Sequence, residues 1–250
     1  MLNKEREQEI INILKVSNGF VTVKDLCDTL FASESSIRRD LKSLEKRGLV
    51  NRTYGGAELV TNFSSIINFN HRTQQNIHAK RLIAQKAASL IKERDIIFLD
   101  QSSTSFYLAN EIINRSGLTI VTNNTEIMIQ LANSRLKVIS SGGYLSSENR
   151  NSLIGGDARE TFENIYADIM FFSAKSISHD GVISDCSREE IIIRNAMLKN
   201  SDKKVFLCDS TKFGTHSAYK QCDLGDVDYF ISEDDCAQQF SSYPKGIVLM

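Results

Sequence analysis

The sequence predicts an α/β protein with two domains, a small helical N-terminal domain that ends in a β-wing and a larger C-terminal α/β domain. Up to about residue 57, helical apolar spacing precedes a short strand and a Gly-Gly turn. From about residue 79, short and uniformly apolar strands alternate with helices, which is typical of parallel strands covered on both faces. The length of 250 residues suits a small domain followed by a larger one.

The first two helices are predicted at residues 3–17 and 23–30. Ile10 and Leu14 lie on one face of the first segment, and charged side chains lie largely elsewhere. Thr22 has the hydroxyl that caps the second helix.

A tight turn at residues 31–33 leads to a third helix, which Ser33 caps and which runs to about Arg47. Its inward face carries apolar residues at helical spacing, namely Ile37, Leu41 and Leu44. The exposed faces then carry hydroxyl and basic side chains, namely Ser35, Ser36, Arg38, Arg39 and Lys42.

A strand at residues 49–54 and a turn at Gly55-Gly56 complete the first domain. The order helix, helix, turn, helix, β-wing predicts a winged helix-turn-helix at residues 1–57. Residues 58–78 lack clear periodicity and are interpreted as a linker. Apolar side chains that could anchor this linker are Phe63, Ile66, Ile67 and Phe69.

The charge distribution is uneven although the whole chain has a net charge of −1. Between Ser33 and Tyr54 there are six basic and three acidic residues, a local excess of +3. Nucleic-acid binding explains such an excess, and a solvated helix face explains it equally well on charge alone.

The second domain spans residues 79–250. Its predicted helices are at residues 79–93, from about 104, 125–133 and 188–200. Its predicted strands are at residues 96–99, 118–121, 136–139, 169–172, 204–208, 229–231 and 247–249. Asp157, Glu160 and Glu163 are interpreted as a solvated helix face.

Several functional classes are disfavoured by composition. The five cysteines are dispersed, with neither CxxC spacing nor a signal peptide, which fits a reducing cytoplasm. The four histidines lack the spacing of metal ligands, so neither a metal nor another cofactor is expected. A run of about 18 apolar residues is absent, so no membrane span is expected.

Polar segments follow four of the predicted strands, where ligands of parallel α/β sheets bind. The first, residues 100–105, also opens a helix, and a helix N-terminus with hydroxyls suits a phosphate group. Gly142-Gly143 alone would fit a tight turn equally well. The candidate effector-binding residues are Asp100, Ser102, Ser103, Thr104, Ser105, Thr122, Asn123, Asn124, Gly142, Gly143, Asp209 and Lys212.

The run ASESSIRRDLKSLEKRGLV at residues 32–50, followed by RTYGGA at residues 52–57, closely resembles the N-terminal signature of DeoR-type bacterial regulators. Ser36 stands where threonine is usual, and Tyr54 where histidine is common. The resemblance implies binding to double-stranded operator DNA. The residues expected to contact it are Ser35, Ser36, Arg38, Arg39, Lys42, Arg52 and Tyr54. Which of Arg38 and Arg39 contacts a base stays open.

The second domain resembles the effector domain of the same family, which is similar in fold to ribose-5-phosphate isomerase and the CoA-transferase group. Ser102 replaces a family glycine, so an altered pocket or weakened binding is expected there. Ser173 and Lys175 also replace glycines, and Lys175 is expected to point to solvent. Lys212 is expected either to hold a phosphate or to pair with Asp100.

The resemblance implies a regulator, most often a repressor of a carbohydrate-utilisation operon, that is relieved by a phosphorylated sugar or related metabolite. It also implies a homo-oligomer, either a dimer or a tetramer. One alternative is a sugar-phosphate isomerase-like enzyme with an accessory DNA-binding domain, in which Asp100 and Asp209 would move protons. Another alternative keeps DNA binding without effector sensing, because Ser102 and Ser173 depart from the family pattern.

Overall fold

The computed structural model describes residues 3–17, 20–47, 49–53, 55–59, 69–234, 240 and 248–250. The chain divides into two compact units, Met1–His71 and Arg72–Met250. Several residues singled out above lie outside the described residues, namely Tyr54, Phe63, Ile66 and Ile67. Among the described helices, none has both the length and the apolar character needed to cross a membrane.

The N-terminal unit contains the three predicted helices, and Thr22 and Ser33 cap α2 and α3 as predicted. Its elements are α1 (Asn3–Val16), β1 (Phe20–Thr22), α2 (Val23–Leu30), α3 (Glu34–Lys46), β2 (Val50–Thr53) and β3 (Gly56–Leu59). The strands form an antiparallel sheet in the order β1-β3-β2. The prediction missed β1, which has only three residues, and it missed β3, which extends into the predicted linker.

Apolar packing between the helices forms the core of this unit, and two ion pairs connect its helices. Buried apolar side chains come from every helix and include Ile10, Leu14, Leu26, Ile37, Leu41 and Leu44. Arg6 of α1 pairs with the buried Asp40 of α3, and Arg47 Nη2 donates to Glu7 Oε2 at 2.8 Å. The first pair joins α1 to α3 and the second joins α1 to the residue that follows α3, so both help to orient the helix that carries the basic residues.

The second unit contains the predicted alternation, and the helices predicted at residues 125–133 and 188–200 begin as predicted and end within two residues of prediction. Its helices, with α4 at the boundary, are α4 (Phe69–Gln74), α5 (Ile77–Ala88), α6 (Ser103–Ile112), α7 (Thr125–Leu131), α8 (Gly156–Glu163) and α9 (Arg188–Lys199). The strands up to the middle of the unit are β4 (Ile96–Leu99), β5 (Thr119–Thr122), β6 (Lys137–Ser140), β7 (Tyr144–Leu145), β8 (Leu153–Ile154) and β9 (Ala167–Phe172). The remaining strands are β10 (Ser176–Ile177), β11 (Val182–Asp185), β12 (Ser201–Leu207), β13 (Tyr219–Asp223), β14 (Tyr229–Ile231) and β15 (Val248–Leu249).

The main sheet has the strand order β15-β14-β12-β9-β4-β5-β6, and every described pair in it is parallel, which confirms the predicted fold class. Alternate side chains enter two different cores. Phe98 packs with α8 and α9, whereas Ile97 and Leu99 pack with α5, α6 and α7. Because side chains of a strand alternate between the faces of its sheet, helices cover both faces.

The prediction missed an antiparallel sheet in the order β10-β11-β13 and the β7–β8 hairpin. Each of these strands has only two to five residues, so none shows a clear apolar pattern. Helix α5 ends at Ala88 rather than at Glu93, because turns follow and Arg94 has a positive φ of 68°. Asp157, Glu160 and Glu163 are exposed on α8, as predicted.

Candidate functional site

The exposed face of α3 begins with a cluster of serine hydroxyls. Ser33 Oγ accepts a hydrogen bond from the backbone N–H of Ser36 at 3.4 Å, and it lies 3.1 Å from Ser35 Oγ and 2.9 Å from Ser36 Oγ. The predicted side chains on the outward faces are exposed, except that Ser36 is half-buried; they are Ser35, Ser36, Arg38, Arg39 and Lys42.

Carboxylates hold two of the predicted DNA-binding arginines. Arg38 Nη2 lies 2.6 Å from Glu34 Oε1, one helical turn away. Arg52 Nε in β2 donates to Glu45 Oε2 at 2.8 Å. Both pairs are well exposed, so each contributes little to stability but does engage its guanidinium.

The remaining cations of α3 lie on a single face. Arg39, Lys42 and Lys46 are spaced i, i+3 and i+7, and Ser35 lies four residues before Arg39. Within the described residues these three cations form no ion pair, and all are exposed. Ser35, Arg39, Lys42 and Lys46 are called the basic stripe below. Lys46 was not among the residues predicted to contact DNA, although its i+7 spacing from Arg39 is visible in the sequence.

In the second unit, Asp100 lies at the centre of the carboxyl edge of the main sheet and is fully buried. Its Oδ1 accepts from the backbone N–H of Ser102 at 3.1 Å and from Ser105 Oγ at 2.7 Å. Its Oδ2 accepts from the backbone N–H of Ser173 at 3.2 Å. The segment at residues 100–105 and the residue after β9, Ser173, are therefore joined around one carboxylate.

Ser102 fits its position without strain. Its backbone is extended, with φ −75° and ψ 152°, and its Oγ accepts from the backbone N–H of Ser105 at 3.1 Å to cap α6. A glycine is therefore not required for a positive φ here. Ser103 is the first residue of α6, and Thr104 is fully buried in its first turn.

A chain of amides and one carboxyl connects the ends of β4 and β5 with the loop after β7. Asn123 Nδ2 lies 3.5 Å from Gln101 Oε1, and Gln101 Nε2 donates to Glu190 Oε2 at 2.9 Å. Asn149 Nδ2 donates to Glu190 Oε1 at 2.7 Å. Burial raises the pKa of Glu190, and the nearby Asp185 raises it further. Of these four hydrogen-bonded side chains, only Asn123 was predicted from the sequence as a site residue.

Several buried polar atoms at the start of α6, directly after β5 and in the loop after β7 make no hydrogen bond to the described residues. They are Thr104 Oγ1, Asn123 Oδ1, Asn124 Nδ2 and Asn149 Oδ1. Their residues are all at most 3% exposed. The orientations of two of the amides are fixed by their other partners, because Asn124 Oδ1 accepts from Glu126 N at 2.9 Å and Asn149 Nδ2 donates to Glu190. The four atoms are called the unpaired set below.

Arg194 supplies the cation beside Asp100. Its side chain is 1% exposed, and its guanidinium lies 3.5 Å from Asp100, 2.5 Å from Asp185 and 3.6 Å from Glu190. Arg194 Nη1 also donates to Gln221 Oε1 at 3.0 Å. Sequence analysis missed this residue, although a cation between the apolar positions of the helix predicted at residues 188–200 indicates a buried ion pair.

Lys212 has other partners than the predicted Asp100. Its Nζ donates to Ser173 Oγ at 2.6 Å and lies 3.7 Å from Asp209 Oδ2. Ser173 therefore joins Lys212 to the Asp100 cluster. Burial acts to raise the pKa of Asp209, but Lys212, Thr211 and other polar neighbours hold it below its usual value. Lys175 is exposed, as predicted.

A buried lysine, Lys80, lies next to the pair formed by Lys212 and Asp209. Lys80 is 4% exposed, and its ammonium donates to the carbonyl of Arg72 and, at 2.6 Å, to that of Gln75. Burial and the neighbouring Lys212 lower the pKa of Lys80 to about 7, while Asp209 opposes the shift. Asn76 Nδ2 donates to Asp209 Oδ1 at 3.0 Å. The segment before α5 is thus tied to the end of β12.

The two glycines after β6 have positive φ values of 69° at Gly142 and 88° at Gly143. Gly142 N donates to Ser140 Oγ at 3.2 Å. A Cβ on Gly143 would lie 2.2 Å from the carbonyl oxygen of Ile154, whereas one on Gly142 would meet none of the described residues within 4 Å. Thr122 Oγ1 accepts from the backbone N–H of Asn124 at 3.1 Å, and the Thr122 carbonyl accepts from Ser141 N at 3.0 Å.

Comparison with known proteins identifies both units. Residues 6–63 match the DeoR-like helix-turn-helix domain, and residues 75–234 match the DeoR C terminal sensor domain. A helix-turn-helix followed by a sensor domain defines a transcription regulator that binds DNA and responds to a small molecule. The chain belongs to the DeoR family of transcriptional regulators.

Two relatives are similar over nearly their full length. The HTH-type transcriptional regulator GolR of Listeria innocua is 35% identical over 92% of this chain and 90% of that protein. The lactose phosphotransferase system repressor of Lactococcus lactis is 31% identical over 97% of each chain. These relatives are named as regulators, which supports the regulator interpretation over the isomerase-like enzyme.

A solved structure of ribose 5-phosphate isomerase A from Methanocaldococcus jannaschii is similar over 54% of this chain and 53% of that chain. The TM-score is 0.41 and the sequence identity is 16%. A likeness this remote says nothing about activity.

Proposed function

We propose that this regulator represses a carbohydrate-utilisation operon in the cytoplasm and releases its operator when a phosphorylated sugar binds at the carboxyl edge of the sensor sheet. A homo-oligomer would present two basic stripes to a two-fold operator, since the half-sites of such operators mirror the symmetry of the protein. The printed name of the Lactococcus lactis relative, a repressor of a sugar phosphotransferase system, supports the carbohydrate assignment.

The observation that carries the proposal is the unpaired set. Buried polar atoms nearly always have a hydrogen-bond partner, so a cluster without one marks a place where a ligand or water binds. Asn123 Oδ1 and Asn149 Oδ1 need donors, Asn124 Nδ2 needs an acceptor, and Thr104 Oγ1 can do either. Sugar hydroxyls both donate and accept, so a polyol offers both kinds of partner that these atoms lack.

A phosphate group would bind at the start of α6. Thr104 lies in the first turn, where the helix dipole and backbone N–H groups favour an anion. Lys212 provides a half-buried cation, linked to this edge of the sheet through Ser173 and Asp100. The phosphate would distinguish the sugar phosphate from the parent sugar.

Release of DNA requires the sugar phosphate to bind the low-affinity arrangement of the protein more tightly than the DNA-bound one. A change of tenfold in operator affinity requires about 1.4 kcal/mol of differential binding. Asn76, just before α5, donates to Asp209, and Asp209 in turn pairs with Lys212. Only Asp209 therefore lies between the start of α5 and Lys212. This link offers a short route from the effector site to the segment that precedes the sensor domain.

The test is a fluorescence anisotropy titration of the full chain on DNA from its own upstream region, at fixed salt because phosphate contacts make affinity salt-dependent. Sugar phosphates and their parent sugars are added in parallel. We expect one sugar phosphate to release the DNA and its parent sugar to fail. Thr104→Val should weaken this response, whereas Thr119→Val, at the opposite end of β5, should not. Specific DNA binding that no sugar phosphate relieves would favour the regulator without effector sensing.

Arg39→Ala is expected to weaken operator binding by about 1–3 kcal/mol, because Arg39 belongs to the basic stripe and has no carboxylate partner among the described residues. Arg38→Ala should cost less, because Glu34 already engages the guanidinium of Arg38 and offsets its charge. The same anisotropy assay measures both variants, with Lys199→Ala as an exposed cation of the sensor domain for control. Wild-type affinity in Arg39→Ala would show that α3 does not contact DNA through the basic stripe.

A further inference from the structure

Phe31, in the turn between α2 and α3, is both strained and exposed. Its side chain is 96% exposed. Its backbone is left-handed, with φ 48° and ψ 44°, and its N–H donates to the carbonyl of Cys27 to end α2. Glycine usually takes this position because a bulky side chain is disfavoured there. Folding therefore gains nothing from a phenylalanine here, neither through backbone conformation nor through burial.

The position of Phe31 relates it to the DNA-binding face. It lies two residues before Ser33, whose Oγ contacts the hydroxyl of Ser35 at 3.1 Å. Ser35 begins the basic stripe, so Phe31 stands at the same end of α3. In helix-turn-helix proteins the N-terminal residues of the recognition helix enter the major groove. An exposed ring at this end is continuous with that interface.

We propose that Phe31 contacts operator DNA, with its ring against the C5-methyl group of a thymine at the edge of the major groove. This proposal rests on the DNA-facing role of the basic stripe proposed above. Thymine methyl groups are the apolar feature of the major groove, and phenylalanine is among the side chains that contact them. The contact buries a ring that otherwise remains in water, so the strain at residue 31 serves binding rather than folding.

The test uses Phe31→Gly in the full chain and operator duplexes in which single thymines are replaced by deoxyuridine, which lacks the methyl group. Glycine removes the strain, so the melting temperature should rise, while operator affinity should fall roughly tenfold, within the range for a lost base contact. One deoxyuridine position should weaken binding of the wild type severalfold and leave Phe31→Gly unaffected. Such non-additivity is the signature of a direct contact.

Two results would overturn the proposal. One is wild-type affinity of Phe31→Gly for the unmodified operator. The other is loss of affinity together with a change of oligomeric state in sedimentation without DNA, because the ring would then cover a second copy of the chain. Arg39→Ala in the same assay shows whether only the proposed Phe31 contact is wrong or the proposed DNA-facing role of the basic stripe is wrong as well. If Arg39→Ala also binds normally, the role assigned to α3 is wrong.

Discussion

Replacing Arg194 with methionine is expected to destabilise the C-terminal unit by about 3–5 kcal/mol. Methionine fills much of the same space but removes the cation that lies between Asp100, Asp185 and Glu190. Asp100 and Glu190 are almost completely buried, so their charges would lose their main compensation without gaining water. Urea unfolding of the full chain near neutral pH measures the loss.

The deficit should depend on pH in a defined direction. Arg194 acts to lower the pKa of Glu190, so its loss raises that pKa further in the folded state, and the folded variant binds more protons than the unfolded chain. The stability of the variant then falls as pH rises from the unfolded pKa of Glu190 to its raised folded pKa. Glu190 already has a raised pKa in the wild type, because of burial first and Asp185 second. The difference from wild type should therefore be larger at pH 8 than at pH 5.

Arg188→Met is the matched control, because Arg188 lies on the same helix and is exposed. Its stability should stay within about 0.5 kcal/mol of wild type at both pH values. A loss in Arg194→Met that does not change with pH would indicate a packing defect in place of an uncompensated charge cluster.

Local signals explain which parts of the fold were predictable. Thr22 and Ser33 are helix caps, and Ile37 and Leu44 lie on the buried side of α3, because capping and helical spacing depend on a few neighbouring residues. The parallel strands were likewise visible as apolar runs. The pairing of Arg38 with Glu34 also follows from their i,i+4 spacing. The sequence could therefore have shown that Arg38, unlike Arg39, has a carboxylate partner on its own helix.

The missed features depend on contacts between residues distant in sequence. Asp100 was identified from its place after a strand, but its partner Arg194 is on α9, in another part of the chain. The β7–β8 hairpin brings Leu153 to Asn123, whose Nδ2 donates to the Leu153 carbonyl at 3.1 Å. Neither partner has a local pattern that points to the other. Sequence therefore located the edge of the sheet but not the hydrogen-bond chain that lines it.

Gly143→Ala is expected to cost about 2–5 kcal/mol of stability. A left-handed backbone costs an L-residue about 1–2 kcal/mol, and overpacking adds about 1–3 kcal/mol. The added Cβ would lie 2.2 Å from the Ile154 carbonyl oxygen and 2.9 Å from Ala158 Cβ, so β8 or α8 has to move. Urea unfolding measures the cost, and the anisotropy assay with sugar phosphate measures the effect on release of DNA.

Gly142→Ala separates backbone strain from the steric clash. Its φ of 69° is also left-handed, but an added Cβ would have no neighbour within 4 Å in the part of the chain that the structure describes, so only about 1–2 kcal/mol should be lost. Movement of β8 in Gly143→Ala displaces Leu153, the residue that fixes Asn123 of the unpaired set. Gly143→Ala should therefore also weaken the response to sugar phosphate, and Gly142→Ala should keep most of it. Equal responses in the two variants would show that the hairpin does not position the effector site.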